Sequence, residues 1–285
     1  MDILVVSGCS GDKLYDETPI GCGEIDSTSR RDFIREYPDY VARASEMYEG
    51  EEHGYVQQAV SNLRKHANVS WKIVSAGYGL VEEDYEIVGY DCTLRDIESV
   101  MRRAKRAGHD PEALTHDEAR RVVGRETNMV GYLKESLTDG YDLTLIVLSE
   151  PYYVAISEAL DDIPPKITVV AVASNGSKKY LGNAYWAPAT EEVRSELGSN
   201  NFRLRRELLE VASENMDESE LAKFPRTRNY RRVRSCASER GLRVGPHQFA
   251  RLKVTMNPFV TTLSSRVHET RVTRRIPRTG TTGRA

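Results

Sequence analysis

The sequence has no uninterrupted apolar run near the roughly 20 residues needed to cross a bilayer. Its opening stretch, Met1-Asp2-Ile3-Leu4-Val5-Val6, is short and has no basic leader, so it does not read as a signal peptide. Cysteine is scarce: Cys9, Cys22, Cys92 and Cys236 are scattered, and no CxxC pair occurs. That pattern excludes a zinc site built from cysteine pairs and favours a reducing, cytoplasmic compartment. The six histidines (His53, His66, His109, His116, His247 and His268) show no HxxxH spacing, so they read as solvated side chains and no metal site is expected. GxxxxGK[ST] and GxGxxG are both absent, which removes the two commonest phosphate-loop fingerprints, and no cofactor is implied.

What is present is a strong charge asymmetry inside a net charge of only −3. From Leu221 to the end there are 14 Arg, 2 Lys and 2 Glu, a local net of +14, which leaves residues 1–220 with a net of −17. A carboxylate-rich body of this kind resembles proteins of salt-loving organisms, and in ordinary salt it repels a nucleic-acid backbone. The basic segment admits three readings: a phosphate-gripping arm for nucleic acid, a stretch disordered without a partner, or out-of-frame text from GC-rich DNA. A domain over residues 1–214 followed by an Arg-rich tail over 215–285 is therefore expected.

Within the body, short apolar runs alternate with helical patterns. Ile3–Ser7, Trp71–Ser75, Leu143–Leu148 and Ile167–Ala173 read as buried strands, continuous and largely β-branched. Between them lie helical patterns in residues 30–66, 93–107, 115–137 and from 150 to about 160, with two more at 188–197 and 200–214. Residues 16–29 read as loop. Thr115 with Glu118 three residues on has the form of a capping box. The expected fold is α/β: three layers, with a mainly parallel sheet of about four strands and helices on both faces. In such a sheet the ligand site lies outside the carboxyl ends of the strands, and all four predicted strands end in polar turns.

The first turn is Ser7-Gly8-Cys9-Ser10-Gly11-Asp12-Lys13-Leu14-Tyr15. Small residues let backbone N–H groups face an anion, and Lys13 adds a cation or, if desolvated, a nucleophile. Cys9 is a candidate nucleophile or a small buried residue at a strand end. The second turn, Ser75-Ala76-Gly77-Tyr78-Gly79, projects Tyr78 as a stacking ring, with Tyr90 and Asp91 downstream. Asp91 is a candidate general base or ribose ligand, or else an Asx-type turn or N-cap before the helix at Thr93. The third turn offers Glu150, Tyr152 and Tyr153, and the fourth offers Asn175. Tyr48 belongs with these aromatic candidates. Together they suit a nucleoside-sized ligand: ring faces, amide and carboxylate groups, and a cation.

Four strings, Ser7-x-Cys9-Ser10-x-x-Lys13, Ala44-x-x-x-Tyr48, Ser75-Ala76-x-Tyr78-Gly79-Leu80 and Tyr90-Asp91-x-Thr93-Leu94, together resemble an uncharacterised family of small α/β domains of archaea, bacteria and phages. The resemblance covers roughly residues 1–175. The first turn is also similar to the catalytic-domain motif of archaeosine synthase, which handles a 7-deazaguanine base in tRNA. Cys9, Lys13 and Tyr15 match that motif, whereas Gly8, Leu14, Thr18 and Gly21 replace its Pro, Pro, Ser and His. The similarity implies a related pocket for a base or nucleoside.

The resulting expectation is a nucleoside- or nucleobase-binding enzyme of modified-base metabolism, a transferase or hydrolase. Its candidate catalytic groups are Cys9, Lys13, Asp91 and Glu150. Its candidate ligand-binding groups are Ser7, Ser10, Tyr15, Tyr48, Ser75, Tyr78, Gly79, Tyr90, Tyr152 and Asn175. A non-catalytic binding or sensor module of a DNA-modification or defence system is the alternative, and a nucleic-acid-binding protein acting through the basic tail is another. The expected partner is a small nucleoside or base, with nucleic acid on the tail and no membrane; the sequence leaves the oligomeric state open.

Overall fold

The run Ile3-Leu4-Val5-Val6 has no polar break, and β1 (Asp2–Gly8) forms on it as a strand at the middle of a six-stranded sheet. The computed structural model describes residues 1–214 and Met216. The expectations for the Arg-rich segment therefore lie outside the described residues. After β1 come β2 (Ile20–Gly21), α1 (Cys22–Ile25), α2 (Arg30–Glu36), β3 (Val41–Arg43), α3 (Ala44–Met47) and α4 (Glu51–Leu63). The middle of the chain gives β4 (Asn68–Ser75), β5 (Gly79–Glu82), β6 (Glu86–Val88), β7 (Tyr90–Asp91), α5 (Ile97–Arg106), α6 (His116–Glu126) and α7 (Met129–Thr138). Then follow β8 (Leu143–Val147), α8 (Glu150–Asp161), β9 (Thr168–Ala173), β10 (Tyr185–Pro188), α9 (Glu191–Leu197) and α10 (Leu204–Glu214).

The sheet order is β10-β9-β8-β1-β4-β5, parallel except for β5, which runs antiparallel to β4. Every residue of β8 is buried, as are Ile3–Gly8 of β1. Successive strand residues point to opposite faces, so both faces of these strands are covered. Full burial of each Val, Leu or Ile here contributes about 1.5–3 kcal/mol relative to exposure. Helix α4 packs against α10, and α8 packs against α6 and α7.

The four strands expected from the sequence are β1, β4, β8 and β9. The expected count of about four is corrected to six. Gly77 and Gly79 give the β5 segment the composition of a turn, and Trp186 and Pro188 interrupt any β-branched run in β10. Pro188 is tolerated as the last residue of an edge strand, where a missing N–H breaks no central ladder. Residues 16–29, expected as loop, hold β2 and α1, and residues 41–43, inside an expected helical stretch, form β3 and pair antiparallel with β6. The helix expected over 115–137 is two helices, because Asn128 adopts a left-handed conformation (φ 57°) between them. The Thr115–Glu118 capping box is present: Glu118 N–H donates to Thr115 Oγ1 at 3.3 Å and Thr115 N–H donates to Glu118 Oε2 at 2.7 Å.

The scattered cysteines are a further correction. Cys22 and Cys92 form a disulfide across a sequence separation of 70. Strands β2 and β7 pair in parallel with Gly21 opposite Asp91, so the residue that follows each strand is a cysteine. Tertiary register makes this bond, and no local spacing announces it. With two of the cysteines paired, cysteine usage no longer points to a reducing compartment. Among the described residues, no helix is long and apolar enough to cross a membrane.

Candidate functional site

Sheet order fixes where a ligand is best placed. From β1 the chain crosses to β4 on one side, and from β8 it crosses to β9 on the other. The carboxyl ends of β1 and β8 therefore flank the point where the winding reverses, where open α/β sheets form their crevice. Gly8-Cys9 leaves β1 there, and Ser149-Glu150 enters α8 there from β8.

Cys9 and Tyr152 meet across this crevice. Cys9 Sγ lies 3.1 Å from Tyr152 Oη, and both residues are buried. The Cys9 N–H donates to Val74 O at 3.0 Å, which prolongs the β1–β4 ladder and fixes the turn. Cys9 and Tyr152 thus form a short polar chain. Burial, first of all, holds the Tyr152 phenol well above its ordinary pKa. It stays neutral and can serve the sulfur as a hydrogen-bond donor.

Beside this chain lies a second one. Tyr90 Oη sits 2.7 Å from Ser75 Oγ and 2.9 Å from Tyr48 Oη, and Ser75 Oγ accepts from Tyr78 N–H at 3.0 Å. Tyr48 and Tyr90 are fully enclosed, and burial raises both phenols well above the ordinary value. The Tyr78 ring stands edge-on to Tyr90 with centroids 5.3 Å apart, and its hydroxyl donates to Val88 O at 3.1 Å. Burial raises the Tyr78 phenol to about 12.

Lys13 closes the cluster on the solvent side. Its Nζ lies 4.7 Å from the Tyr90 ring centroid and donates to Gly11 O at 3.2 Å. Residue 13 forms a bridge with Tyr48, which draws the first turn onto the aromatic cluster. Burial lowers the Lys13 pKa, and the charges of Cys9, Asp91 and Asp12 partly oppose that shift. Asp91 is exposed in β7 and acts on Lys13 through space. A half-buried ammonium over a ring, with a carboxylate nearby, is suited to holding an anion or attacking carbon once deprotonated.

The remaining sequence candidates take other places. Ser7 is buried in β1 and accepts from Trp71 Nε1 at 2.9 Å. Ser10 Oγ donates to Asp12 O at 2.5 Å and shapes the turn. The Tyr15 hydroxyl donates to Val41 O at 3.1 Å. Gly79 has φ +77°, and a Cβ there would meet Thr127 O at 2.2 Å, so it permits a close backbone approach. Glu150 is exposed at the start of α8 with Oε2 against Gly176, and Asn175 is exposed after β9. The structure thus gathers Cys9, Lys13, Tyr48, Ser75, Tyr78, Tyr90 and Tyr152, with Asp91 at the rim, and sets Glu150 and Asn175 along the β8–β9 side.

One residue of the centre had no signal in the sequence. Arg206 reaches from α10 to the first turn and donates to Gly8 O at 3.1 Å and to Cys9 O at 3.4 Å, while an ion pair with Glu52 of α4 holds its other end. Nearly two hundred residues separate Arg206 from Cys9, and only the packing of α10 on α4 joins them.

A concavity of about 400 Å³ opens elsewhere, among Arg43, Arg64, Val69, Trp71, Glu82 and Glu83. It lies beside the beginning of β4, and the two glutamates of its lining are held in ion pairs, Arg64–Glu83 and Lys72–Glu82. Among the described residues, no group of three or more His, Cys, Asp or Glu side chains is placed to hold a metal ion.

The fold and centre define an α/β protein with a mostly parallel central sheet and a thiol–phenol cluster at its crevice. Comparison of the chain with protein-family models, curated proteins and solved structures finds no match.

Proposed function

We propose that the protein is a nucleoside- or nucleobase-binding enzyme of modified-base metabolism, with its reacting centre at Cys9. The observation that carries this reading is the 3.1 Å contact between Cys9 Sγ and Tyr152 Oη at the crevice between β1 and β8. A thiol beside a neutral phenol donor, with the Lys13 amine nearby, suits addition of the sulfur to an electrophilic C=N carbon of the ring, the π bond breaking and the thiol proton passing to the ring nitrogen. Lys13 is assigned to the anionic group of the ligand or to attack in its own right. Asp91 at the rim is the polar or acid/base partner of Lys13, and Glu150 faces a more distant part of the ligand. Tyr78, half-buried and edge-on to the enclosed Tyr90, supplies the aromatic wall.

The test is a thermal-shift screen against nucleosides, nucleobases and 7-deazaguanine bases, with alkylation of Cys9 followed by peptide mass mapping. A ligand at about 100 times its dissociation constant stabilises a fold by about 2.7 kcal/mol. A ligand that stabilises the chain, shields Cys9 from iodoacetamide and loses its effect in Lys13→Ala supports the reading. Stabilisation that leaves Cys9 alkylation unchanged places the ligand elsewhere and overturns it. Binding without turnover that persists unchanged in Cys9→Ala favours a sensor module over an enzyme.

A further inference from the structure

Cys22 and Cys92 are joined where positive charge is crowded. Arg103, on α5, is buried and directs its guanidinium three ways. Nη2 and Nε donate to the Asp26 carboxylate at 2.7 and 3.0 Å, and Nη1 donates to Ala76 O at 2.6 Å and to Cys92 Sγ at 3.4 Å. Arg106, one turn further along α5, donates to the same carboxylate at 2.6 Å and to Cys22 O at 3.0 Å. Two guanidinium groups thus share one carboxylate, and among the described residues no other carboxylate forms an ion pair with either. One positive charge is left over, and Arg103 Nη1 carries it inward to the Cys92 sulfur. Asp91, the carboxylate next to Cys92 in the chain, is exposed.

A neutral disulfide sulfur is a weak acceptor for a buried guanidinium N–H. A thiolate in its place would be held by a charge-assisted bond, about twice as strong, and would balance the unpaired charge. In thiol–disulfide exchange the sulfur that departs is the one whose thiolate is better stabilised, and the sulfur that is attacked must be reachable. The two cysteines divide these roles between them. Cys92 is 5% exposed and bonded to Arg103, whereas Cys22 is half-buried and open to solvent.

We propose that Cys22–Cys92 is a redox-active disulfide, opened at Cys22 by a dithiol reductant, with Cys92 leaving as a thiolate held by Arg103. A thiolate of the reductant attacks Cys22 Sγ, a new S–S bond forms as the Cys22–Cys92 bond breaks, and the electron pair departs on Cys92 Sγ. The second thiol of the reductant then attacks its partner sulfur in the mixed disulfide and releases Cys22. The reductant leaves as a cyclic disulfide, oxidised by two electrons, and its two protons pass to Cys22 and to solvent. Arg103 is a positioning residue for the departing sulfur. No part of this chemistry depends on the ligand assigned to Cys9, so the two readings fail separately.

The experiment uses the full chain carrying Cys9→Ser and Cys236→Ser, so that the pair alone reacts. The folded protein is treated with glutathione in the absence of denaturant, quenched with excess N-ethylmaleimide and mapped by peptide mass. The expected products are a glutathione adduct on Cys22 and maleimide on Cys92. The rate of opening by dithiothreitol is then compared with that of the Arg103→Gln and Arg103→Lys variants, whose folding is checked by thermal unfolding. Arg103→Gln should slow opening at least about 10-fold, and Arg103→Lys, which keeps the charge, should recover part of the rate. Mere loosening of the fold has the opposite sign, because it exposes the bond and speeds its opening. An adduct on Cys92 overturns the direction of attack, and equal rates in a folded Arg103→Gln variant overturn the role of Arg103. A pair that opens only in denaturant is a structural bond, and the proposal falls. Should neither arginine variant fold, the adduct position and the opening of the folded chain decide the matter, since neither needs a change at residue 103.

Discussion

Cys9 and Tyr152 lie 143 residues apart, and their sulfur and hydroxyl meet at 3.1 Å where the winding of the sheet reverses. Tyr152→Phe removes the buried hydroxyl that faces the Cys9 sulfur. The expected loss of stability is about 1 kcal/mol, that of one buried hydrogen bond. A phenol hydroxyl 3.1 Å from the sulfur can donate to it as negative charge develops during attack. Alkylation of Cys9 by iodoacetamide should therefore slow several-fold in the variant, as read from mass-mapped peptides over time. Unchanged alkylation in a folded variant would show that the phenol does not serve the thiol.

His53 ties stability to pH from inside the fold. It is buried against Trp71 with ring centroids 5.1 Å apart, Nε2 donates to Ser45 O at 2.9 Å, and Nδ1 has no partner. Burial pushes its pKa down from 6.5 to about 4, against the Ser45 carbonyl and with the charge of Arg206 also disfavouring the cation. Between those values the unfolded chain binds a proton that the folded chain refuses, so the unfolded state gains as pH falls. Above pH 6.5 the effect vanishes, and by pH 4 it reaches about 3 kcal/mol. His53→Gln keeps a donor for Ser45 and does not titrate. Urea unfolding from pH 7 to 4 should give the variant a flatter dependence by that amount.

Gly79 is set against the Thr127 carbonyl. At φ +77°, with Thr127 O 2.2 Å from the position of a Cβ, alanine is opposed by both backbone conformation and space. The two penalties together give an expected destabilisation of roughly 2–5 kcal/mol in Gly79→Ala, measured by equilibrium unfolding. Gly79 pairs with Ser75, whose hydroxyl holds Tyr90, so the variant should also weaken the aromatic wall.

These contacts mark the boundary of what a sequence discloses. Ile3–Val6 and Leu143–Val147 announce buried strands, because a covered parallel sheet demands continuous apolar text. The glycines of the second turn announce a tight backbone, and Gly79 has it, but the strand that follows was hidden by those same glycines. Cys9, Lys13, Tyr48, Ser75, Tyr78, Tyr90 and Tyr152 were legible as polar or aromatic residues near strand ends. Which of them touch was not legible, because contact depends on sheet order, and Glu150 and Asn175 ended on a different side for that reason. Arg206 and the Cys22–Cys92 pair lay beyond local reading altogether. Both are products of packing between segments 70 or more residues apart in the chain.

The disulfide offers the last test, because it joins stability to the site. Cys92 follows Asp91, which acts on Lys13. Tyr90, one residue before Asp91, is the hub of the hydroxyl chain. The bond to Cys22 fixes this strip to β2 and closes a loop of 70 residues. On the chain-entropy account, opening a loop of that length costs about 4 kcal/mol of stability. Cys22→Ser, or reduction with dithiothreitol, should lower the unfolding midpoint accordingly. The neighbouring anchor survives reduction: Arg103 binds Asp26 through two nitrogens, at 2.7 and 3.0 Å, and donates to Ala76 O at 2.6 Å. The fold should therefore persist under reduction while the strip from Tyr90 to Thr93 loosens. Hydrogen exchange would read this as faster exchange at residues 90–93, with the amides of β1 and β8 unchanged. Equal acceleration throughout the sheet would mean instead that the bond supports the whole fold and has no particular tie to the site.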